Sequence, residues 1–316
     1  MSVDRAKTLI AMVLTLLVFG LGAKNAHASE LTAIKITPYF TVHYAPADPY
    51  LAESITESAN DELKRISAQL GYRVERGKPF PLLVYRTHYA FIKEGGLEDK
   101  YTVGTARSSD EAIAVDASGA FVTSKLALTH ELTHVIIFRI LGSKAYMMPL
   151  WMNEGLAKYE SEDYSETDRA LVADAAANDT LIPLYDLSSS FPKDRIDLSY
   201  AESGSAARYF IDRYGESAPK VLLAELDRTG SFDKAMKKAT GKDGDEFIAE
   251  WSHSIGSRFG MLRIGRIAGA LGGMFMAILA IIAFLVRRKQ KIQASKEWEW
   301  EQFEESMRRQ LDDRHR

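Results

Sequence analysis

Apolar positions along this chain change period several times, and each period marks an element. From Phe40 to Tyr44 they alternate, Phe40, Val42 and Tyr44 against Thr41 and His43, which predicts a strand. From Leu51 they recur at helical spacing through Ile55, Ala59, Leu63, Ile66 and Leu70, and Gly71 supplies a stop. Pro81 to Tyr85 and Ala112 to Val115 are short apolar runs and read as two more strands. Residues from about Glu30 to Asp116 therefore predict a mixed α and β region. Beyond it, Lys125-Leu126-Ala127-Leu128 and Val135-Ile136-Ile137 belong to one long apolar-faced helix, punctuated by Gly142 and Pro149. A second helix begins within Trp151 to Ala157. Further helices are predicted at Asp168 to Ala177, Tyr200 to Tyr214, Ala218 to Asp227, Ser231 to Ala239 and Asp243 to Arg258. Loops rich in Ser, Asp and Pro separate them, notably Asp186 to Asp197, so the fold class is α+β with its helices gathered after the strands.

Both ends of the chain carry longer apolar runs. Arg5 and Lys7 precede the run Thr8 to Ala23, and Ala26-His27-Ala28 places small residues where a signal peptidase reads, so residues 1–28 are expected to be a signal peptide. The competing reading is an uncleaved signal anchor; either way the middle of the chain is exported. Ile267 to Val286 is free of charge over twenty residues (267–286), the length of one bilayer crossing. Arg287, Arg288 and Lys289 follow at once. Together these features predict an extracytoplasmic domain at 29–256, a juxtamembrane stretch at 257–266, a transmembrane helix at 267–286 and a cytoplasmic charged tail at 287–316 in a single-pass cell-membrane protein. Trp298, Trp300 and Phe303 lie within that tail, which reads equally as an interfacial helix or a solvated segment. Gly265, Gly269 and Gly273 are four apart and form a small-residue face on which two such helices could pack as a homodimer.

Composition narrows the chemistry. A net charge of −3 over 316 residues carries no basic signature for nucleic acid. No glycine-rich phosphate loop or internal repeat is present. The chain has no cysteine, which excludes disulfides, thiolate metal ligands and cysteine nucleophiles.

The chemistry that remains sits in His130-Glu131-Leu132-Thr133-His134 and Trp151-Met152-Asn153-Glu154-Gly155-Leu156-Ala157. Residues four apart share a helix face, so His130 and His134 can grip one ion. Glu131 is rotated from both toward the ion's open side, where a general base belongs. Nineteen residues (135–153) separate His134 from Glu154, enough for a loop and a returning helix to bring a third ligand. Two imidazoles, one carboxylate and a spare glutamate are the inventory of a catalytic Zn²⁺ site. His43 and His88 fall in or beside strands and read as structural or surface histidines.

These two segments resemble the gluzincin metallopeptidases, and most closely the bacterial peptidase MA-like domain, whose sites are similar to those of thermolysin and the zinc aminopeptidases. Phe40-Thr41-Val42-His43-Tyr44 followed by a helix, and Tyr200-Ala201-Glu202-Ser203 leading into Ala207 to Gly215, extend the resemblance over roughly residues 35–255. It implies a zincin-like catalytic domain, a small mixed sheet with the active-site helix and then a helical subdomain. It also implies His130, His134 and Glu154 as zinc ligands, Glu131 as catalytic base and a peptide or protein as substrate. Tyr200 is the candidate oxyanion donor, because the resembled segment puts a tyrosine at the head of a helix after the ligand glutamate. Thermolysin-like enzymes carry an aspartate four residues beyond that glutamate to support a zinc histidine; here the position is Lys158, nearer the aminopeptidase pattern. Strand Ala112 to Val115 is a candidate for aligning an extended peptide by edge pairing, against a plain core strand. Two functions compete: a membrane-anchored zinc peptidase, and a catalytically inactive scaffold of the same fold, against which the intact Glu131 argues. An intramembrane protease is excluded because Thr129, His130, Glu131, Thr133 and Arg139 make the motif helix amphipathic.

Overall fold

The computed structural model describes residues 29–95, 97, 102–107, 110–257, 273–289, 291 and 298. The expected signal peptide, the juxtamembrane stretch beyond Ser257, Gly265, Gly269 and nearly all of the charged tail lie outside the described residues. The chain divides into two units, Met1–Ser257 and Arg258–Arg316.

The first unit holds a five-stranded sheet of β1 (Ala33–Ile36), β2 (Phe40–Tyr44), β3 (Phe80–Tyr85), β4 (Gly104–Arg107) and β5 (Ala112–Asp116), in the order β1-β2-β3-β5-β4. The three central strands are parallel, and each outer strand runs antiparallel to its neighbour. The parallel step from β2 to β3 is made by helix α1 (Pro49–Leu70), which starts at an Asp48 cap and stops at Gly71 in the left-handed region (φ 79°). Phe40, Val42, Leu82, Val84, Ile113 and Val115 form the buried sheet face, with α1 and α3 (Phe121–Leu141) packed on the sheet. On the opposite face α2 (His88–Gly95) covers Tyr85 and Ala114 through Ala90 and Phe91.

β5 is thus enclosed by β3 and β4, and all five of its residues are buried. The expectation that Ala112 to Val115 offers a free edge is corrected: a strand hydrogen-bonded on both sides has no edge to give. The outer strands are β1 and β4, and of the two it is β4 that packs against α3.

Among the described residues of this unit, seven helices follow the sheet: α3, α4 (Leu150–Glu160), α5 (Glu166–Ala177), α6 (Ile196–Tyr214), α7 (Ala218–Thr229), α8 (Phe232–Thr240) and α9 (244–257). α3 ends at Gly142 (φ 52°), and a 3-10 turn, Gly142–Met147, leads toward α4. α4 crosses α6 at Gly155, where an added Cβ would lie 2.3 Å from the Ser203 carbonyl oxygen. Only glycine permits that approach, so the residue after Glu154 sets how deeply this helix is seated. The far end of α4 is tied to α1: Arg65 reaches the Glu160 carboxylate at 2.7 Å and its carbonyl at 2.6 Å. Glu160 is buried, which makes that pair unlike a solvated surface bridge.

In the second unit residues 273–289 are helical, and Phe275, Ile278, Ile281, Ile282 and Phe284 are exposed. Among the described residues no helix is long and apolar enough to cross a membrane. The described helix covers 273–286 of the expected span, and residues 267–272 lie outside it.

Candidate metal centre

α3 sets His130 and His134 one turn apart with their rings edge to face, 4.8 Å between centroids. Their Nε2 atoms are 3.1 Å apart. α4 brings Glu154 Oε2 to 3.4 Å from His130 Nε2 and 3.5 Å from His134 Nε2. Three ligand atoms on one tetrahedral ion with bonds of ~2.0–2.1 Å stand about 3.3 Å from one another. The three distances bracket that edge, so the donor set and its spacing both fit Zn²⁺. Among the described residues this is also the group of His and acidic side chains placed to hold a metal ion. His43 and His88 stand outside it; His88 Nδ1 pairs with Asp116 Oδ2 at 2.6 Å.

Charge agrees with this geometry. Burial opposes an imidazolium at His134, yet the Glu154 carboxylate beside it overrides that and raises its pKa to about 9. Burial likewise opposes the Glu154 carboxylate, and the two histidines reverse it, holding the group far below the usual carboxylate range. A divalent cation must displace the His134 proton to bind, so its uptake is coupled to proton release.

His134 is 7% exposed and is held on its other side as well. Its Nδ1 lies 3.3 Å from Asn153 Oδ1, and the Phe138 ring stacks on it at 6.4 Å. That contact fixes the tautomer: Nδ1 donates to the amide oxygen, leaving the Nε2 lone pair for metal. Asn153 was not picked out from the sequence, although it directly precedes Glu154. Lys158, standing where thermolysin-like enzymes have an aspartate, pairs instead with acidic side chains, 3.4 Å from both Asp163 and Asp168. Orientation of the His134 ring therefore falls to Asn153. Asn153→Ala is expected to weaken zinc affinity ~10–100-fold, the usual cost of losing an outer-shell partner, as read by chelator competition. An unchanged affinity would show that the ring is held by packing alone.

Glu131, the proposed base, faces the edge strand β4. A Cβ added at Gly104 would lie 2.9 Å from Glu131 Cγ and 3.2 Å from Glu131 Oε1. Burial pushes the Glu131 carboxyl up, His130 and His134 pull it down, Glu154 adds to the rise and the Ala106 backbone amide donates to it; the net shift is upward. The strand that carries Gly104 and Ala106 was invisible in the sequence. Tyr200 lies in the second turn of α6, half-buried, with its ring edge-on to Phe191 at 5.1 Å.

The model for the peptidase MA superfamily matches residues 58–257, more than half of the chain, from within α1 to the end of α9. The chain belongs to the peptidase MA superfamily. No curated relative matches it. For this peptidase MA domain the match accounts for a metallopeptidase-like fold and a peptide or protein substrate, and the converging histidines and glutamate are placed so that they could hold a metal ion.

Proposed function

We propose that this chain is a zinc-dependent peptidase held at a membrane, with His130, His134 and Glu154 as ligands and Glu131 as general base. The observation that carries the reading is the convergence of three ligand atoms at 3.1–3.5 Å with Glu131 beside them under a strand edge. When bound, zinc supplies a Lewis acid for the scissile carbonyl and a water acidified toward a pKa of about 7. Glu131 takes the proton of the attacking water and passes it to the leaving nitrogen. A base in a buried setting, with its pKa above that of an ordinary carboxylate, suits that transfer. The outer edge of β4 pairs with the substrate backbone and lays it across Glu131. Tyr200 is assigned the tetrahedral oxyanion, an assignment that rests on the family resemblance.

The membrane part of the proposal rests on the uncharged run Ile267–Val286, the basic cluster after it and the signal-like start. It is supported by the exposed apolar surface of residues 273–286 of that helix, which water does not favour. The catalytic domain then lies outside the cytoplasm and the C-terminus inside. A catalytically inactive scaffold remains the rival reading.

Digestion of a peptide library by the full-length protein, with and without chelator, separates the two. Chelator-sensitive cleavage with restored activity on adding zinc is expected. Zinc-loaded protein that cuts nothing would favour the scaffold.

A further inference from the structure

The connection between α5 and α6, residues 178–195, is long for a compact domain, and such segments usually carry a function. It is fastened on two sides. Toward α6, the Ile182 N–H donates to Glu202 Oε1 at 2.9 Å, and Phe191 packs edge-on against Tyr200. Toward α4, the N–H groups of Leu150 and Trp151 donate to the carbonyls of Ser188 (2.9 Å) and Leu187 (3.2 Å). α4 needs these carbonyls, because its cap position is Pro149, which offers no side-chain acceptor. Asn153 and Glu154 follow within the next turn. The connection thus links the entry of the helix bearing a ligand carboxylate to the helix bearing Tyr200.

Glu202 is an odd residue for a merely structural fastening. It is fully buried, and its Oε2 has no hydrogen-bond partner. Glutamine would give Ile182 the same acceptor without the risk of a buried charge.

We infer that Glu202 is a proton-operated clasp: neutral, it holds the 178–195 connection against α6, and on ionising it loosens the connection and, through it, the entry of α4. Glu202 is a positioning residue in this account and touches neither substrate nor ligands. Burial lifts its carboxyl to about 7, against the lowering effects of the Ile182 N–H and the Arg195 charge. Lys158 of α4 lies by Asp163 and Asp168, Glu160 pairs with Arg65, and Arg169 of α5 pairs with Glu166. Arg195 itself donates to the Thr180 carbonyl, inside the same connection.

The folded-state pKa is raised from 4.5, so the hold is complete below about pH 4.5 and is lost as pH rises through about 7. The clasp stands or falls independently of whether the chain cuts peptides. Hydrogen exchange of the full-length protein, corrected for intrinsic rates, reads it at Ile182, Leu150 and Trp151. From pH 5 to 8.5, protection at these amides should fall at least ~10-fold in wild type and stay level in Glu202→Gln, which keeps the acceptor but cannot ionise. Constant protection in wild type overturns the proposal whatever the variant does. An equal fall in both proteins overturns it as well.

Discussion

Glu131→Gln is expected to bind zinc as wild type does, to keep the fold, and to lose peptide hydrolysis by at least ~100-fold, the scale of a removed general base. Glutamine has nearly the same size, so the contact with Gly104 survives. The substitution takes away only the ability to accept a proton from water. The Glu131 carboxyl is not among the three converging ligand atoms, which is why metal content should stand still. Single-turnover hydrolysis with metal content measured on the same sample reads both quantities. Turnover equal to wild type would remove Glu131 from the mechanism.

The second large effect is on the metal itself. Glu154→Ala takes away one of three ligands and the only carboxylate in the set, leaving two imidazoles on one helix. Zinc affinity should drop by more than the ~10–100-fold assigned to outer partners such as Asn153, and hydrolysis should vanish with it. The loss has a proton signature. The His134 pKa is raised from 6.5 to about 9 chiefly by Glu154 acting against burial. In chelator-treated wild type this group's stabilisation is complete below about pH 6.5 and is lost as pH rises through about 9. Glu154→Ala should abolish that dependence. Chelator-treated thermal unfolding across pH 6 to 10 would show it, and an unchanged profile would mean that Glu154 does not govern His134.

Much of the fold was readable because burial imposes a period. β2, α1, β3, β5 and α3 each bury a face regular enough to show in the sequence. β1 and β4 did not show, for different reasons. In β1 the two isoleucines, Ile34 and Ile36, are 60% and 77% exposed, so its apolar alternation points away from the core. In β4 the residues Gly104-Thr105-Ala106-Arg107 carry almost no apolar signal, and pairing with β5 alone makes them a strand. That hidden strand took the edge role first given to Ala112–Val115.

The site divides the same way. His130, His134 and Glu131 were legible because one helix fixes their spacing, and Glu154 because the second helix returns at a suitable distance. Asn153 required knowing which way the His134 ring turns. Glu202 carries no mark in the sequence, since its burial comes from the connection folded over it.

The account depends on one metal held by three named side chains. Elemental analysis of the purified full-length protein, wild type beside Glu154→Ala, tests that most directly. One zinc per chain in wild type and almost none in the variant is the predicted result. Full zinc occupancy in Glu154→Ala would contradict it and move the third ligand elsewhere.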